Sequence, residues 1–197
     1  MKKLALIVAS VAAFVVVAAV GLMVLYGGGS GSTGIAKIGG PFALTDQDGR
    51  TRTDADFRGS LMMVYFGYTY CPDACPTALL SMTQALDMLG PDAEKVVPVF
   101  ITIDPARDTA DQLKLYAQNF HPRTVMLTGT PEQVAAAAKA YRVYYAKAKG
   151  SEDEKPDQYL MDHTSIIYLM GRDGRYITHF THATQADKIA ETLRKHL

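Results

Sequence analysis

The chain has 197 residues, 48% of them hydrophobic, with 20 basic and 20 acidic side chains and no net charge. That length and apolar content support one domain with a proper core. Neither sign dominates any long stretch, so charge leaves no footprint for a nucleic-acid or acidic partner. Two cysteines are also too few for a secreted domain stapled by disulfides, which shows four or more.

In chain order, Lys2 and Lys3 precede "LALIVASVAAFVVVAAVGLMVLY", Leu4 to Tyr26, which is 23 residues without a charge. A helix of about 20 apolar residues spans a bilayer core, and flanking lysines stay on the cytoplasmic side. Residues 1–26 are therefore predicted to be an N-terminal membrane anchor. A cleaved signal sequence is the competing reading, disfavoured because an apolar signal region runs only about 7 to 15 residues and ends at a small-x-small site, which is not evident here. Residues 27–34, "GGGSGSTG", read as a flexible Gly/Ser linker. The folded domain is expected over 35–197. In a bacterium this topology is a single-pass inner-membrane protein with its C-terminal domain in the periplasm, where disulfides persist.

Within that domain, "PFALTDQDGRTRT" predicts a hairpin: Phe42 to Thr45, a turn around Asp48 and Gly49, and a return through Thr51 to Thr53. The continuous apolar run Leu61 to Tyr68 suits a central strand covered on both faces. Pro76 to Leu89 has helical spacing, a proline in its first turn and a stop at Gly90-Pro91. A strand over Val96 to Asp104 and a capped helix over Asp108 to Phe120 follow. "TVMLTG", "PEQVAAAAKAY" and "RVYYA" predict strand, helix and strand. "KGSEDEKPDQ", Lys149 to Gln158, reads as an exposed polar loop. "SIIYLM", the turn "GRDG" and "RYITHF" predict a second hairpin before a terminal helix, Gln185 to His196. Alternation of β and α predicts an α/β domain with helices on both faces of a central sheet. A Cys motif at the first strand-to-helix junction narrows this to a thioredoxin-like fold.

"YFGYTYCPDACP" holds both cysteines, Cys71 and Cys75. They lie where the partial positive charge and free amides of a helix N-terminus favour thiolate, which serves redox exchange and metal binding alike. Thioredoxin-like exchange uses C-x-x-C, whereas "CPDAC" has one residue more. Residues at i and i+4 of a helix face one way and could share a small ion, yet could also close a disulfide. Spacing alone leaves a structural disulfide, a redox pair and a soft-metal site open. His163, immediately before a strongly apolar strand, is the candidate third ligand, since a strand-end imidazole stays available. Two thiolates and an imidazole form a soft to borderline set suited to Cu(I) and able to hold Cu(II). Zinc accepts the same ligands, but a closed structural zinc site takes four.

"GYTYCPDACPT", "ITIDPARDT", "LTGT", "YRVYY" and "YLMDHTSIIYLMGRDG" together resemble the Sco/SenC family over about Gly39 to Phe180. Those proteins are membrane-anchored, thioredoxin-like copper proteins that help assemble cytochrome c oxidase. The resemblance implies that Cys71, Cys75 and His163 bind Cu(I) and Cu(II). It further implies delivery of copper, received from a periplasmic donor protein, to the dinuclear CuA site of oxidase subunit II. Reduction of that subunit's cysteines is a second implied role. Tyr70 departs from the histidine common in the family before the first Cys, a position that is not a metal ligand.

Other groups are expected to be structural. In "DPARDT", Asp108 or Thr109 is expected to cap the following helix while Arg107 ties the loop to a carboxylate. Asp162 is a candidate acceptor that orients His163. His179 and His182 lack thiol or acidic companions, and His121 and His196 read as surface residues. Met62, Met63, Met82, Met88, Met126 and Met170 read as core, with Met161 the one methionine kept as an outside ligand candidate. The alternatives to a copper chaperone are a tethered thiol-disulfide oxidoreductase, with Cys71 attacking and Cys75 resolving, and a peroxiredoxin-like peroxidase. The two-Cys cluster fits the latter less well.

Overall fold

The computed structural model describes residues 38–149 and 158–197. The predicted anchor, the Gly/Ser linker and most of the polar segment Lys149 to Gln158 lie outside the described residues. Among the described residues no helix is long and apolar enough to cross a membrane.

A seven-stranded mixed sheet organises the domain. β1 (Ala43–Asp46) and β2 (Thr51–Thr53) form the first hairpin. Its turn is built on the Asp46 carboxylate, which accepts the N–H groups of Asp48 and Arg50 and the Nε–H of Arg52. Next come β3 (Leu61–Gly67), β4 (Val96–Thr102) and β5 (Val125–Thr128), paired in parallel. β6 (Tyr145–Lys147) and β7 (Met161–His163) pair only with each other. β8 (Ile166–Met170) runs antiparallel to β3, and β9 (Tyr176–Thr181) antiparallel to β8. The order across the main sheet is β2-β1-β5-β4-β3-β8-β9.

Among the described residues four α-helices cover it: α1 (Ala74–Asp87), α2 (Ala110–Ala117), α3 (Pro131–Ala140) and α4 (Ala186–Arg194). Thr109 caps α2 by accepting the Gln112 N–H, and Thr130 with Gln133 forms a capping box on α3. All seven residues of β3 are buried. Successive residues of a strand point to opposite faces. Tyr65 accordingly reaches Cys75 of α1, while Phe66 packs on Tyr141, just past α3, with ring centroids 5.3 Å apart. Helices thus lie on both faces, as the sequence predicts. A strand buried on both sides has no polar face to alternate with, which is why Leu61 to Tyr68 reads as an unbroken apolar run.

The ribbon β6–β7 is a separate two-stranded sheet with His163 at a strand end, as expected; its pairing was not anticipated, each arm having three residues, too few for a period to show. Two expectations need correction. Met88 is 48% exposed and lies just past the end of α1 at Asp87, so it is not core. His121 is half-buried, its Nδ1 accepting the Arg123 N–H. Met62, Met63, Met82, Met126 and Met170 are buried as expected.

Candidate metal centre

β3 runs to the start of α1, and the loop between them carries Cys71; Cys75 is the second residue of the helix. Both thiols are free, Cys71 half-buried and Cys75 fully buried. The residue before α1, Asp73, gives the helix no side-chain cap. The Cys75 N–H instead donates to Cys71 Sγ at 3.4 Å. A sulfur therefore fills the position in which a cap oxygen normally satisfies an orphan amide. Gly67 lets Cys75 sit this close to the sheet, since a Cβ there would lie 2.6 Å from Cys75 Sγ.

The two thiols titrate as a pair. A hydrogen bond from Cys75 brings Cys71 down to about 4 against the opposing effect of burial, with help from His163 and the amides of Asp73 and Cys75. Cys75 moves far up, because it hydrogen-bonds the Cys71 sulfur, is buried, and faces the charge on Cys71. The pair therefore holds one proton and one negative charge at neutral pH. A cation that displaces the remaining proton would be bound by two thiolates.

His163 ends β7 and stands against this pair, with Nε2 3.6 Å from Cys75 Sγ. Its Nδ1 lies 3.2 Å from the Thr164 carbonyl, which can only accept, so Nδ1 is the donor there and Nε2 is the ring nitrogen turned to the sulfur, the atom a metal would take. The Thr164 carbonyl fills the orienting role for which Asp162 was a candidate; Asp162 is exposed. Tyr65 and Tyr68 meet the imidazole edge to face, with centroids 6.1 and 6.0 Å away. The ligand atoms of Cys71, Cys75 and His163 all lie within 4.8 Å of one another. Bonds of about 2.0 Å to nitrogen and 2.3 Å to sulfur place two ligands of one ion roughly 3.6 Å apart, so the Cys75–His163 pair has the spacing of groups around a single metal.

A polar network supports the centre. Asp108 is fully buried and accepts from Thr69 N–H at 3.0 Å, Thr69 Oγ1 at 2.5 Å and Thr102 Oγ1 at 2.6 Å. It ties the loop carrying Cys71 to the end of β4; the cap of α2 is Thr109 alone. Burial pushes the Asp108 carboxyl up despite these donors. Arg107 pairs with Asp104, as expected, and also donates to the Tyr159 carbonyl at 2.8 Å. Tyr159, Tyr65, Gly67 and Thr164 were not singled out in the sequence. The only signal for Gly67 was a glycine inside an apolar strand, which marks close backbone approach.

None of the other histidines joins the group formed by the thiols and His163. Met161 packs against the core, and its N–H donates to Tyr68 Oη at 3.1 Å. His179 is exposed and bonds Tyr176 Oη. Among the described residues, Cys71, Cys75 and His163 are the one group of three or more His, Cys, Asp or Glu side chains able to hold a metal ion.

A thioredoxin-like domain with two thiols at a helix start and an imidazole across from them defines a class of thiol-based metal or redox proteins. The family model described as SCO1/SenC matches residues 30–197, and the chain belongs to that family. The mitochondrial SCO2 homolog of Bos taurus is 43% identical over 165 residues, covering 82% of this chain and 61% of the bovine protein. The chain thus spans less than two thirds of that relative's length. The structure of Bradyrhizobium japonicum ScoI with copper bound is 42% identical, with a TM-score of 0.74 over 81% of this chain and 99% of that one. Yeast Sco1 with copper bound is 37% identical, with a TM-score of 0.71 over 82% and 91%.

Proposed function

We propose that the protein is a copper chaperone that binds one copper ion through Cys71, Cys75 and His163 and hands it on by stepwise ligand exchange. The observation that carries this reading is the convergence of two sulfurs and an imidazole nitrogen within 4.8 Å, with Nε2 turned to the Cys75 sulfur at 3.6 Å. Soft thiolates suit Cu(I), and the imidazole extends the set to Cu(II). Three ligands leave a position at which an acceptor's ligand enters. The copper in the Bradyrhizobium and yeast structures supports the choice of metal.

The remainder of the reading rests on family membership and on the sequence. Copper comes from a periplasmic donor protein and goes to the CuA site of cytochrome c oxidase subunit II. Residues 1–26 anchor the chain in the bacterial inner membrane, 27–34 tether it, and 35–197 work in the periplasm. Closing a Cys71–Cys75 disulfide removes both thiolates and abolishes binding, so thiol state switches the site.

A second reading is favoured by one observation, the unequal pair: a low Cys71 and a raised Cys75. Cys71 thiolate attacks one sulfur of a partner disulfide, breaking its S–S bond, releasing the other sulfur as thiolate and forming a mixed disulfide. Cys75 then loses its proton and displaces the partner's thiolate, leaving the partner reduced and the pair oxidised. The test separating the two is Cu(I) titration and Cu(II) EPR on the reduced, anaerobic full chain in detergent, wild type against His163→Ala. One tight copper per chain, with Cu(II) retention weakened at least tenfold by the substitution, supports the chaperone. Weak binding indifferent to His163, alongside strong disulfide reductase activity, replaces it with the oxidoreductase.

A further inference from the structure

The thiols and the imidazole come from separate pieces of the fold. Cys71 and Cys75 sit at the junction of β3 and α1, whereas His163 belongs to the ribbon β6–β7, which shares no strand pairing with the main sheet. Its one short backbone tie to that sheet is the link Thr164-Ser165 from His163 to β8, which pairs with β3, so side chains are left to hold the stretch that leads into β7 against the Cys71 loop. Arg107 is placed to do so. Its guanidinium centre lies 3.6 Å from the ring centroid of Tyr159, 4.7 Å from that of Tyr70 and 5.6 Å from that of Tyr68.

Tyr70 immediately precedes Cys71, and Tyr159 lies on the segment leading into β7. Arg107 also donates to the Tyr159 carbonyl at 2.8 Å and pairs with Asp104, whose other oxygen accepts the Tyr159 hydroxyl at 2.7 Å. Stacking on rings while donating in plane needs a flat, delocalised cation; an ammonium does one or the other. The arginine side chain is only 9% exposed, so these contacts are little screened. Nearby, Tyr68 Oη accepts the Met161 N–H, a second tie between the two pieces.

We propose that Arg107 is a positioning residue that fixes the ribbon carrying His163 against the loop carrying Cys71, and so decides whether copper is held by three ligands or two. This rests on the copper reading above. Among the described contacts Arg107 touches none of the three ligands, and it acts through the tyrosines and Asp104.

The test uses the full chain with Arg107→Lys, which keeps the charge beside Asp104, together with Arg107→Ala, His163→Ala and the double variant Arg107→Lys/His163→Ala. In metal-free protein the Met161 amide should exchange at least tenfold faster in Arg107→Lys while amides of β3 and β4 keep their rates and both thiols still titrate. Loaded with Cu(II), Arg107→Lys should show the EPR signature of His163→Ala and at least tenfold weaker retention, and the double variant should lose nothing further. Wild-type exchange and EPR in Arg107→Lys and Arg107→Ala, or additive losses in the double variant, overturn the proposal. If His163→Ala itself leaves copper binding unchanged, the copper reading fails. Met161 exchange then still decides whether Arg107 holds the ribbon: faster exchange supports that, and unchanged exchange overturns it.

Discussion

Cys71 and Cys75 are chemically unequal although the sequence presents them as a symmetric pair, because one sulfur accepts the amide of the other residue and the other is sealed beneath it. With its partner's hydrogen bond as the main cause, Cys71 stands at about 4, against about 8.5 for an ordinary thiol. Alkylation of metal-free, reduced protein by iodoacetamide should therefore stay near its plateau from about pH 8 to 6 and fall off only toward about 4. Cys71→Ser should leave a slow residue, Cys75, that reacts only at alkaline pH. A wild-type profile with its midpoint above pH 8 would contradict this. Gly67→Ala offers a second check. The new methyl would lie 2.6 Å from Cys75 Sγ and 3.0 Å from both Phe100 and Tyr65. Overpacking of this kind costs about 1–3 kcal/mol. Urea unfolding should show that loss, and copper titration should show weakened binding, since the sulfur is what must give way.

At the scale of elements, the hairpin β1–β2 sets an acid limit. Burial alone pushes the Asp46 carboxyl up, but the Arg50 amide, the Arg52 guanidinium and the Asp48 amide bring it to a net value below its ordinary one. A carboxyl depressed on folding stabilises the fold in full above its unfolded value, about 3.9, and loses that contribution as pH falls through the folded value. The stability difference between wild type and Asp46→Ala, from urea midpoints, should stay constant from about pH 8 to 5 and shrink below about 4. A difference that persists at pH 2 would count against this role. Such turn and cap devices were legible in the sequence: Asp48-Gly49 and Thr109 punctuate elements where the structure has them. The ribbon β6–β7 was not, because its pairing joins Tyr145 to His163 across a polar segment and leaves no local signal. Arg107 was legible as a partner of Asp104, three residues away, but its bond to Tyr159 spans 52 positions and only the fold makes it visible.

For the molecule as a whole, alternation of apolar strands and amphipathic helices was enough to read an α/β domain, and a Cys pair at the first strand-to-helix junction was enough to place its site. The two-sided burial of the sheet follows from β3, where Tyr65 faces the thiols and Phe66 the opposite layer. Phe66→Ala should accordingly cost about 3–5 kcal/mol in denaturant unfolding while leaving one copper per chain in the fraction that stays folded. Loss of copper in that folded fraction would mean the far layer shapes the site after all. The centre itself joins distant parts of the chain, Cys75 and His163 being 88 residues apart. A nascent chain emerging from the N-terminus presents both sulfurs soon after β3 and α1, long before β7 is made. Contacts of high sequence separation also form late, since chain closure must precede them. An ion caught early would rest on sulfur alone, and nitrogen ligation would come only once nearly the whole domain has been synthesised and packed, so the third ligand distinguishes a finished molecule from an unfinished one.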